Sequence, residues 1–382
     1  MKICYLVYSF YLSGAENLVY SLTAKLASRY QVIVGSLYDA QNEREGVKII
    51  GDLERVGVRT FQVGKQKGKG RIKAIWKLAR ILHAERVDIL HTHTLLPNFY
   101  GHLAGWLAQV PVRIATLHSG GNDWTDKRCY WMEYVIRHLT TQYIAVSAIP
   151  ASDYRATFGE NEQMIVIPNG VDINRFQNVR INRDDKRRSL GLSRSDNVLI
   201  NVGRICEAKG QEQLVEVMGL VVRQFPNTHL LIVGDSKSQP ELVARLLQLI
   251  RQLQLDHQVH ILGSRTDIPE LLAVSDVFVF SSLHEAHPVA LLEATAAGLP
   301  VVASKIPAIQ EIFEDGKEVL LVPPGDSKAI ADAVEKIIAH PSYAKRLARA
   351  AQMKVQKQFS IESTVAAYDN LYRALLNKRK EQ

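Results

Sequence analysis

Short apolar runs alternate along this chain with longer stretches in which apolar residues recur every three or four positions. Residues 2–8, KICYLVY, read as a buried strand; Ser9 to Gly14 is a turn; residues 15–26 read as a helix with Leu18 and Leu22 one turn apart. The same alternation predicts strands over 31–37, 58–63, 87–91, 112–117 and 143–147, with helices near 46–56, 71–84, 97–108 and 128–139. In the helix over 71–84, Ile72, Ile75, Trp76 and Ala79 form the stripe expected to cover the sheet.

Pro168-Asn169-Gly170 marks a turn, and a polar stretch, residues 178–188, follows it. The pattern then restarts. Strands are expected over 197–203, 228–233, 258–263, 277–281 and 300–303, with a weak one at 318–322. Helices are expected over 210–225, 239–253, 267–274, 288–297, 327–339 and 342–356. Strands alternating with helices imply parallel sheets covered on both faces. The expected architecture is α/β: two Rossmann-like, doubly wound domains facing a cleft, residues 1–175 and 176–359, joined near 165–185. In such sheets ligands lie beyond the carboxyl ends of the strands.

That rule directs attention to the loops after the strands. Residues 285–293, EAHPVALLE, follow the apolar run 277–280 and lead into a small-residue helix closed by Gly298 and Pro300. Pro288 suits a first helical turn. Glu285 and Glu293 point to roughly one side if the helix continues, since eight residues make about 2.2 turns. The helix start also offers the N–H groups of Val289, Ala290 and Leu291 to an anion. Acceptors for sugar hydroxyls beside donors for phosphate suggest a sugar nucleotide. Two capping or surface glutamates in an ordinary β–α unit would give the same pattern.

The loop at 202–210, VGRICEAKG, ends the first strand of the second half. Arg204 supplies a fixed fork of donors and Lys209 a mobile point charge, and the two can converge on one diphosphate. Surface ion pairing is the plainer alternative. Arg265, in the loop 263–267, sits on the same rim, where the backbone can meet a flat base.

In the first half, Ser13-Gly14-Ala15-Glu16, His91-Thr92-His93 and His118-Ser119-Gly120-Gly121 occupy the corresponding loops. Gly14 opens a helix and can let a phosphate or sugar approach the backbone. His118 ends a strand where it can face the cleft. Of His91 and His93, one is expected to face the sheet packing and the other the cleft. No carboxylate or cysteine stands nearby at metal-ligand spacing, so no metal is assigned.

Composition narrows the classes. No run approaches the roughly 20 apolar residues of a membrane span. The N-terminus is too short and strand-like for a cleaved signal peptide. Cys4, Cys129 and Cys206 are far apart and fit a reducing cytosol. The net charge is +8, and residues 1–170 hold 20 Lys and Arg against 14 Asp and Glu, so most of the excess lies in the first half. That favours an anionic partner or membrane surface there. The basic loop at 65–71, KQKGKGR, with the helix after it, residues 65–77 in all, is the candidate membrane contact, with Tyr130, Trp131 and Tyr134 as helpers or as core. Basic residues are not interleaved with aromatics over a definable surface, so no nucleic-acid partner is expected.

At these residues the chain resembles the retaining glycosyltransferases of family 4, which have the GT-B fold. The resemblance rests on Ser-Gly-Ala-Glu at 13–16, Pro-Asn-Gly-Val-Asp at 168–172, Val-Gly-Arg…Lys-Gly at 202–210, and the glutamate pair at 285 and 293. It implies that Arg204 and Lys209 hold the donor diphosphate, Glu285 the donor sugar hydroxyls and Glu293 the ribose, with His118 near the transferred sugar. It implies that a final helix, residues 360–377, crosses back onto the first domain through Ile361, Val365, Tyr368, Leu371, Tyr372 and Leu375. Two departures stand out: Ser13-Gly14 where the family often has Gly-Gly, and Ala286-His287 where it often has Gly-Phe. His287 can bond the sugar or a phosphate, which bears on donor identity.

The reaction so implied moves a sugar from a nucleotide diphosphate, UDP by family default, to a hydroxyl of a glycan or lipid-linked acceptor. No Asp-x-Asp is placed to hold a metal, so no cofactor and no absolute metal requirement are expected. The rivals are a sugar-nucleotide epimerase or hydrolase and a non-catalytic sugar-binding protein. A nicotinamide enzyme is disfavoured because no G-x-G-x-x-G follows a strand.

Overall fold

The computed structural model describes residues 1–11, 14–40, 43–66, 68–119, 124–160, 164–235 and 239–380. Ser13, Lys67, Gly120 and Gly121, named above, lie outside them. The chain divides into two compact units, Met1–Gly170 with Ile361–Gln382, and Val171–Ser360.

The first unit runs β1 (Lys2–Val7), α1 (Gly14–Leu26), β2 (Gln31–Ser36), α2 (Glu43–Arg55), β3 (Arg59–Gln62), α3 (Arg71–Ala84), β4 (Ile89–His93), α4 (Leu95–Leu107), β5 (Val112–Leu117), α5 (Lys127–Ile136), β6 (Gln142–Ala145), α6 (Ala148–Phe158) and β7 (Met164–Val166). The second runs α7 (Ile173–Gln177), α8 (Arg183–Ser189), β8 (Asn197–Val202), α9 (Gln211–Gln224), β9 (Thr228–Val233), α10 (Pro240–Gln252), β10 (Val259–Gly263), α11 (Ile268–Val274), β11 (Val277–Phe280), α12 (Val289–Ala296), β12 (Val301–Ser304), α13 (Pro307–Gln310), β13 (Leu320–Val322), α14 (Ser327–Ala339) and α15 (Pro341–Gln358). The last helix, α16 (Ile361–Lys380), belongs to the first unit.

Both sheets are parallel throughout, with orders β3-β2-β1-β4-β5-β6-β7 and β10-β9-β8-β11-β12-β13. The α/β reading of the apolar pattern is thereby met. The strands read as unbroken apolar runs because helices cover both sides of each sheet. In the second unit one core packs Ile200, Phe278 and Phe280 against α12, and another packs Leu199, Ile232 and Val279 against α9 and α14. The order reverses between β1 and β4 and between β8 and β11. At those points successive crossovers go to opposite faces and leave a crevice at the carboxyl ends.

Five elements escape the apolar pattern. Helices α6 and α13 have no counterpart in it, the edge strand β7 is only three residues long, and α7 and α8 lie in and just beyond the expected join. Their ends are set by polar caps: Asp172 Oδ1 accepts from Arg175 N at 3.2 Å, and Asn182 Oδ1 from Asp184 N at 3.0 Å. The stripe expected on α3 is also corrected. Ala74, Leu78, Ala79 and Leu82 are buried, whereas Ile72 and Trp76 are 72% and 58% exposed. The two alanines let α3 lie close to the sheet while Leu78 and Leu82 fill the core, and Ile72 and Trp76 turn to solvent.

Helix α16 packs on the first unit's sheet through Tyr368 and Tyr372, both fully buried. Tyr372 Oη lies 2.9 Å from Tyr5 Oη and 2.6 Å from His91 Nδ1. Thr364 Oγ1 donates to the Pro168 carbonyl at 3.1 Å, and Lys25 pairs with Glu362 at 2.9 Å. No helix among the described residues is long and apolar enough to cross a membrane.

Candidate functional site

The switch point of the second sheet collects most of the expected residues. From the end of β8 the chain passes through Gly203 and a 3-10 turn, Glu207–Lys209, to Gly210. Two glycines make this path available. A Cβ on Gly234 would lie 1.9 Å from the Gly203 carbonyl oxygen, and one on Gly210, at φ +64°, would lie 2.4 Å from that of Ser281. The loop is pinned to the end of β11: Ser281 Oγ donates to the Lys209 carbonyl at 2.8 Å, and Leu283 N to the Ala208 carbonyl at 2.8 Å.

That pinning brings Lys209 to Glu285. Their side chains form an ion pair, 20% and 10% exposed, with the Lys209 ammonium 5.5 Å from the centre of the Phe280 ring. A half-shielded pair of this kind interacts more strongly than a surface pair, and stripping either partner leaves a charge poorly solvated. Arg204 is exposed, and its guanidinium has no hydrogen bond or ion pair among the described residues. Its carbonyl accepts from Gln211 Nε2 at 2.9 Å, which fixes the backbone. One cation is thus held, and the other is available to an incoming anion.

The helix end differs from expectation. Pro288 precedes α12 instead of opening it. Val289 N donates to the His287 carbonyl and Leu291 N to the Pro288 carbonyl, each at 3.0 Å. Of the three N–H groups offered to an anion, only that of Ala290 has no such bond among the described residues, because the tight turn at His287-Pro288 uses the others. The His287 ring stands 6.1 Å from that of Phe359, tilted by 50°.

Glu293, on α12, is pushed up to about 7 by burial, which outweighs the opposing pull of Arg175. A carboxyl with a raised value favours folding below its unfolded range, near 4.5, and loses that contribution as pH rises through about 7. Glu293→Gln is therefore expected to raise thermal stability relative to the unaltered chain at pH 8 but not at pH 4.5, by about 1–3 kcal/mol. Glu133 of the first unit is also pushed up to about 7 by burial, so the decisive quantity is the difference between the two chains. An equal effect at both pH values would show that Glu293 is not held neutral.

Arg265 is committed within the second unit. Its Nε donates to Asp267 Oδ1 at 2.8 Å and its Nη2 to Oδ2 at 2.6 Å, while Lys186 Nζ reaches Oδ2 at 2.6 Å. The two cations hold the Asp267 carboxyl well below the usual carboxylate range. Sequence reasoning assigned Arg265 but missed Asp267, although a carboxylate two residues away is the signal for a closed fork.

In the first unit, Gly14 opens α1, and a Cβ there would meet nothing within 4 Å. His118 follows β5 and its Nε2 lies 2.9 Å from His93 Nδ1. The expectation that His91 and His93 face opposite ways is corrected. Residues two apart in a strand share a face, and the two rings stack with centroids 4.3 Å apart. Both are buried. Among the described residues, no group of three or more His, Cys, Asp or Glu is placed to hold a metal ion.

Comparison with known proteins places this arrangement. The pattern described as Glycosyl transferases group 1 matches residues 182–354, and that described as Glycosyltransferase Family 4 matches residues 12–175. A UDP-Gal:alpha-D-GlcNAc-diphosphoundecaprenol alpha-1,3-galactosyltransferase of Escherichia coli is 27% identical over 309 residues, 79% of each chain. N-acetyl-alpha-D-glucosaminyl L-malate synthase of Bacillus anthracis is 26% identical over 310 residues, 80% of this chain and 79% of that one. The crystal structure of Anabaena HepE in complex with UDP and glucose superposes with a TM-score of 0.87 at 23% identity, covering 98% of this chain and 100% of that one. With both halves matched in order, and with the two parallel sheets in place, this chain belongs to glycosyltransferase family 4, the group 1 glycosyl transferases of GT-B fold.

Proposed function

We propose that the chain transfers a sugar, with retention of anomeric configuration, from a UDP-sugar to a hydroxyl of a glycan or lipid-linked acceptor in cell-surface polysaccharide or glycolipid synthesis. The observation that carries this reading is the meeting of Lys209 and Glu285 at the β8–β11 switch point, beside an Arg204 fork that has no partner among the described residues. The species most in need of stabilisation is the departing UDP. Arg204 and Lys209 are the cations that would meet its growing charge, in a site whose dipoles need no reorganisation. Donor binding then exchanges the partner of Lys209 from Glu285 to the diphosphate and frees the Glu285 carboxylate to accept from sugar hydroxyls. Glu293 accepts from the ribose, Gly14 gives the donor close access to backbone, and His118 meets the transferred sugar. Support for UDP comes from the E. coli relative, named for UDP-Gal, and from the UDP held by HepE.

A thermal-shift panel of UDP-, GDP- and ADP-sugars, run in EDTA, tests donor and metal together. Ligand at 100 times its Kd adds about 2.7 kcal/mol of apparent stability. We expect a shift with a UDP-sugar alone, without added Mg²⁺. A shift that appears only with Mg²⁺ would refute metal independence, and one with GDP- or ADP-sugars alone would refute the donor.

We also propose that the protein works in the cytoplasm, at the inner face of the plasma membrane, through the surface around residues 65–77. Lys65 is set aside from that contact: it is buried, with its ammonium 5.1 Å and 5.2 Å from the Tyr38 and Tyr100 rings. Lys69, Arg71 and Lys73 are exposed beside Ile72 and Trp76. Cations next to exposed apolar side chains suit an anionic interface. Lys69→Glu with Lys73→Glu is expected to weaken flotation with phosphatidylserine vesicles at least tenfold, since each basic residue near such a surface contributes about 1 kcal/mol. Unchanged flotation would exclude the contact.

A further inference from the structure

Three histidines of the first unit, His91 and His93 buried and His118 half-buried, form an ordered chain. His91 is satisfied on both sides: Nδ1 lies 2.6 Å from Tyr372 Oη, and Nε2 lies 2.6 Å from Thr116 Oγ1. His93, stacked on it, is not. Its Nδ1 faces His118 Nε2 at 2.9 Å, and its Nε2 is buried with no hydrogen-bond partner among the described residues. His118 has its Nε2 so committed and, among the described residues, nothing bonded to its Nδ1.

We propose that His93 is a positioning residue for His118, holding it as the tautomer with its proton on Nδ1, so that His118 presents a hydrogen-bond donor and no basic nitrogen to its ligand. The proposal rests on the reading above that His118 meets the transferred sugar.

One proton can lie between the two facing nitrogens. Burial pushes His118 down to about 4 and His93 well below the ordinary histidine value, so both rings are neutral near pH 7 and each carries one proton. If His118 supplied the shared proton, His93 would carry its own on Nε2, as a buried N–H without an acceptor. Orphaned buried N–H groups are rarer in folded proteins than under-used acceptors. If His93 supplies it, Nε2 is a bare lone pair, His118 Nε2 accepts, and the proton of His118 stands on Nδ1. The bond made by one ring nitrogen sets the state of the other. The stack on His91, itself tied to Tyr372 of α16, keeps the His93 ring in plane for this contact.

A chemical consequence follows. In this state neither nitrogen of His118 can take a proton from an acceptor hydroxyl. Its Nδ1–H fits an acceptor oxygen, such as a hydroxyl or ring oxygen of the sugar, so its contribution is orientation and charge stabilisation without general-base work.

Long-range proton–nitrogen correlation on the full chain, labelled with ¹⁵N at histidine, reads the tautomer directly. Expected is a His118 with Nδ1 protonated and Nε2 bare, this single form lost in His93→Leu and restored in His93→Asn, whose amide can donate in place of Nδ1–H. A His118 protonated on Nε2 in the unaltered chain overturns the proposal even if His93→Leu does not fold. An unchanged His118 in a folded His93→Leu overturns it equally. Hydrolysis of UDP-glucose to UDP and glucose tests the underlying reading apart from this. His118→Ala is expected to lose at least tenfold in kcat with little change in KM, and His118→Asn, which keeps a donor near Nδ1, to recover most of it. Equal loss in both would make His118 a base and overturn the proposal. No loss in His118→Ala would remove His118 from the sugar and with it the ligand role, while leaving the tautomer result to stand or fall by itself.

Discussion

Lys209→Ala is expected to cut sugar transfer about 10²–10³-fold in kcat, the usual effect of deleting one preorganised donor to a developing anion, or about 3–4 kcal/mol at the barrier. Two effects add here. The departing diphosphate loses a cation, and the Glu285 carboxylate, 10% exposed, loses its counter-charge. A shielded carboxylate without that partner is poorly solvated and is no longer held in place for the sugar hydroxyls. Glu285→Gln separates the two, because it leaves Lys209 free for the diphosphate and removes only the charge of the acceptor. It is expected to lose less than Lys209→Ala. Because the two side chains act as one unit, Lys209→Ala with Glu285→Ala should cost far less than the product of the single losses. Near-normal turnover in both single variants, with folding intact, would reject this site.

The rim of the second sheet was legible for a physical reason. A parallel strand buried on both faces is an unbroken apolar run, so polar residues just after it stand out, and a switch point gathers them whatever the loop details. Arg204, Lys209 and Glu285 could be read that way. What could not be read depends on contacts between segments far apart in the chain. The bond from His93 to His118 joins neighbouring strands, and the burial of Lys65 between Tyr38 and Tyr100 joins three separate loops and helices. Nothing in the local pattern KQKGKGR distinguishes its inward lysine from its outward ones. The turn at His287-Pro288 was misread because Pro fits both a first helical turn and the position before it. On α3 only Ala79 of the expected stripe is buried: the inward face is Ala74, Leu78, Ala79 and Leu82, and apolar character alone does not tell it from the outward Ile72 and Trp76.

Gly210→Ala is the backbone counterpart of the Lys209 experiment and should be nearly as damaging. Gly210 has φ +64°, which costs an L-residue roughly 1–2 kcal/mol. Its new Cβ would also lie 2.4 Å from the Ser281 carbonyl oxygen, against backbone that cannot rotate away. The Gln213 Oε1, at 2.9 Å, is the end of a flexible side chain and can move; the carbonyl at the end of β11 can retreat only by parting the loop from the sheet. That movement breaks the bonds from Ser281 Oγ to the Lys209 carbonyl and from Leu283 N to the Ala208 carbonyl, which hold Lys209 against Glu285. Together the strain and the lost bonds should lower stability by about 2–4 kcal/mol in urea unfolding. Under conditions where the variant remains folded, turnover should fall about 10²-fold, since a displacement of about 1 Å at a reacting centre is enough for that loss. A Gly210→Ala chain with unaltered urea midpoint and turnover would mean that the loop does not need its close approach to β11, and that Lys209 is positioned by something else.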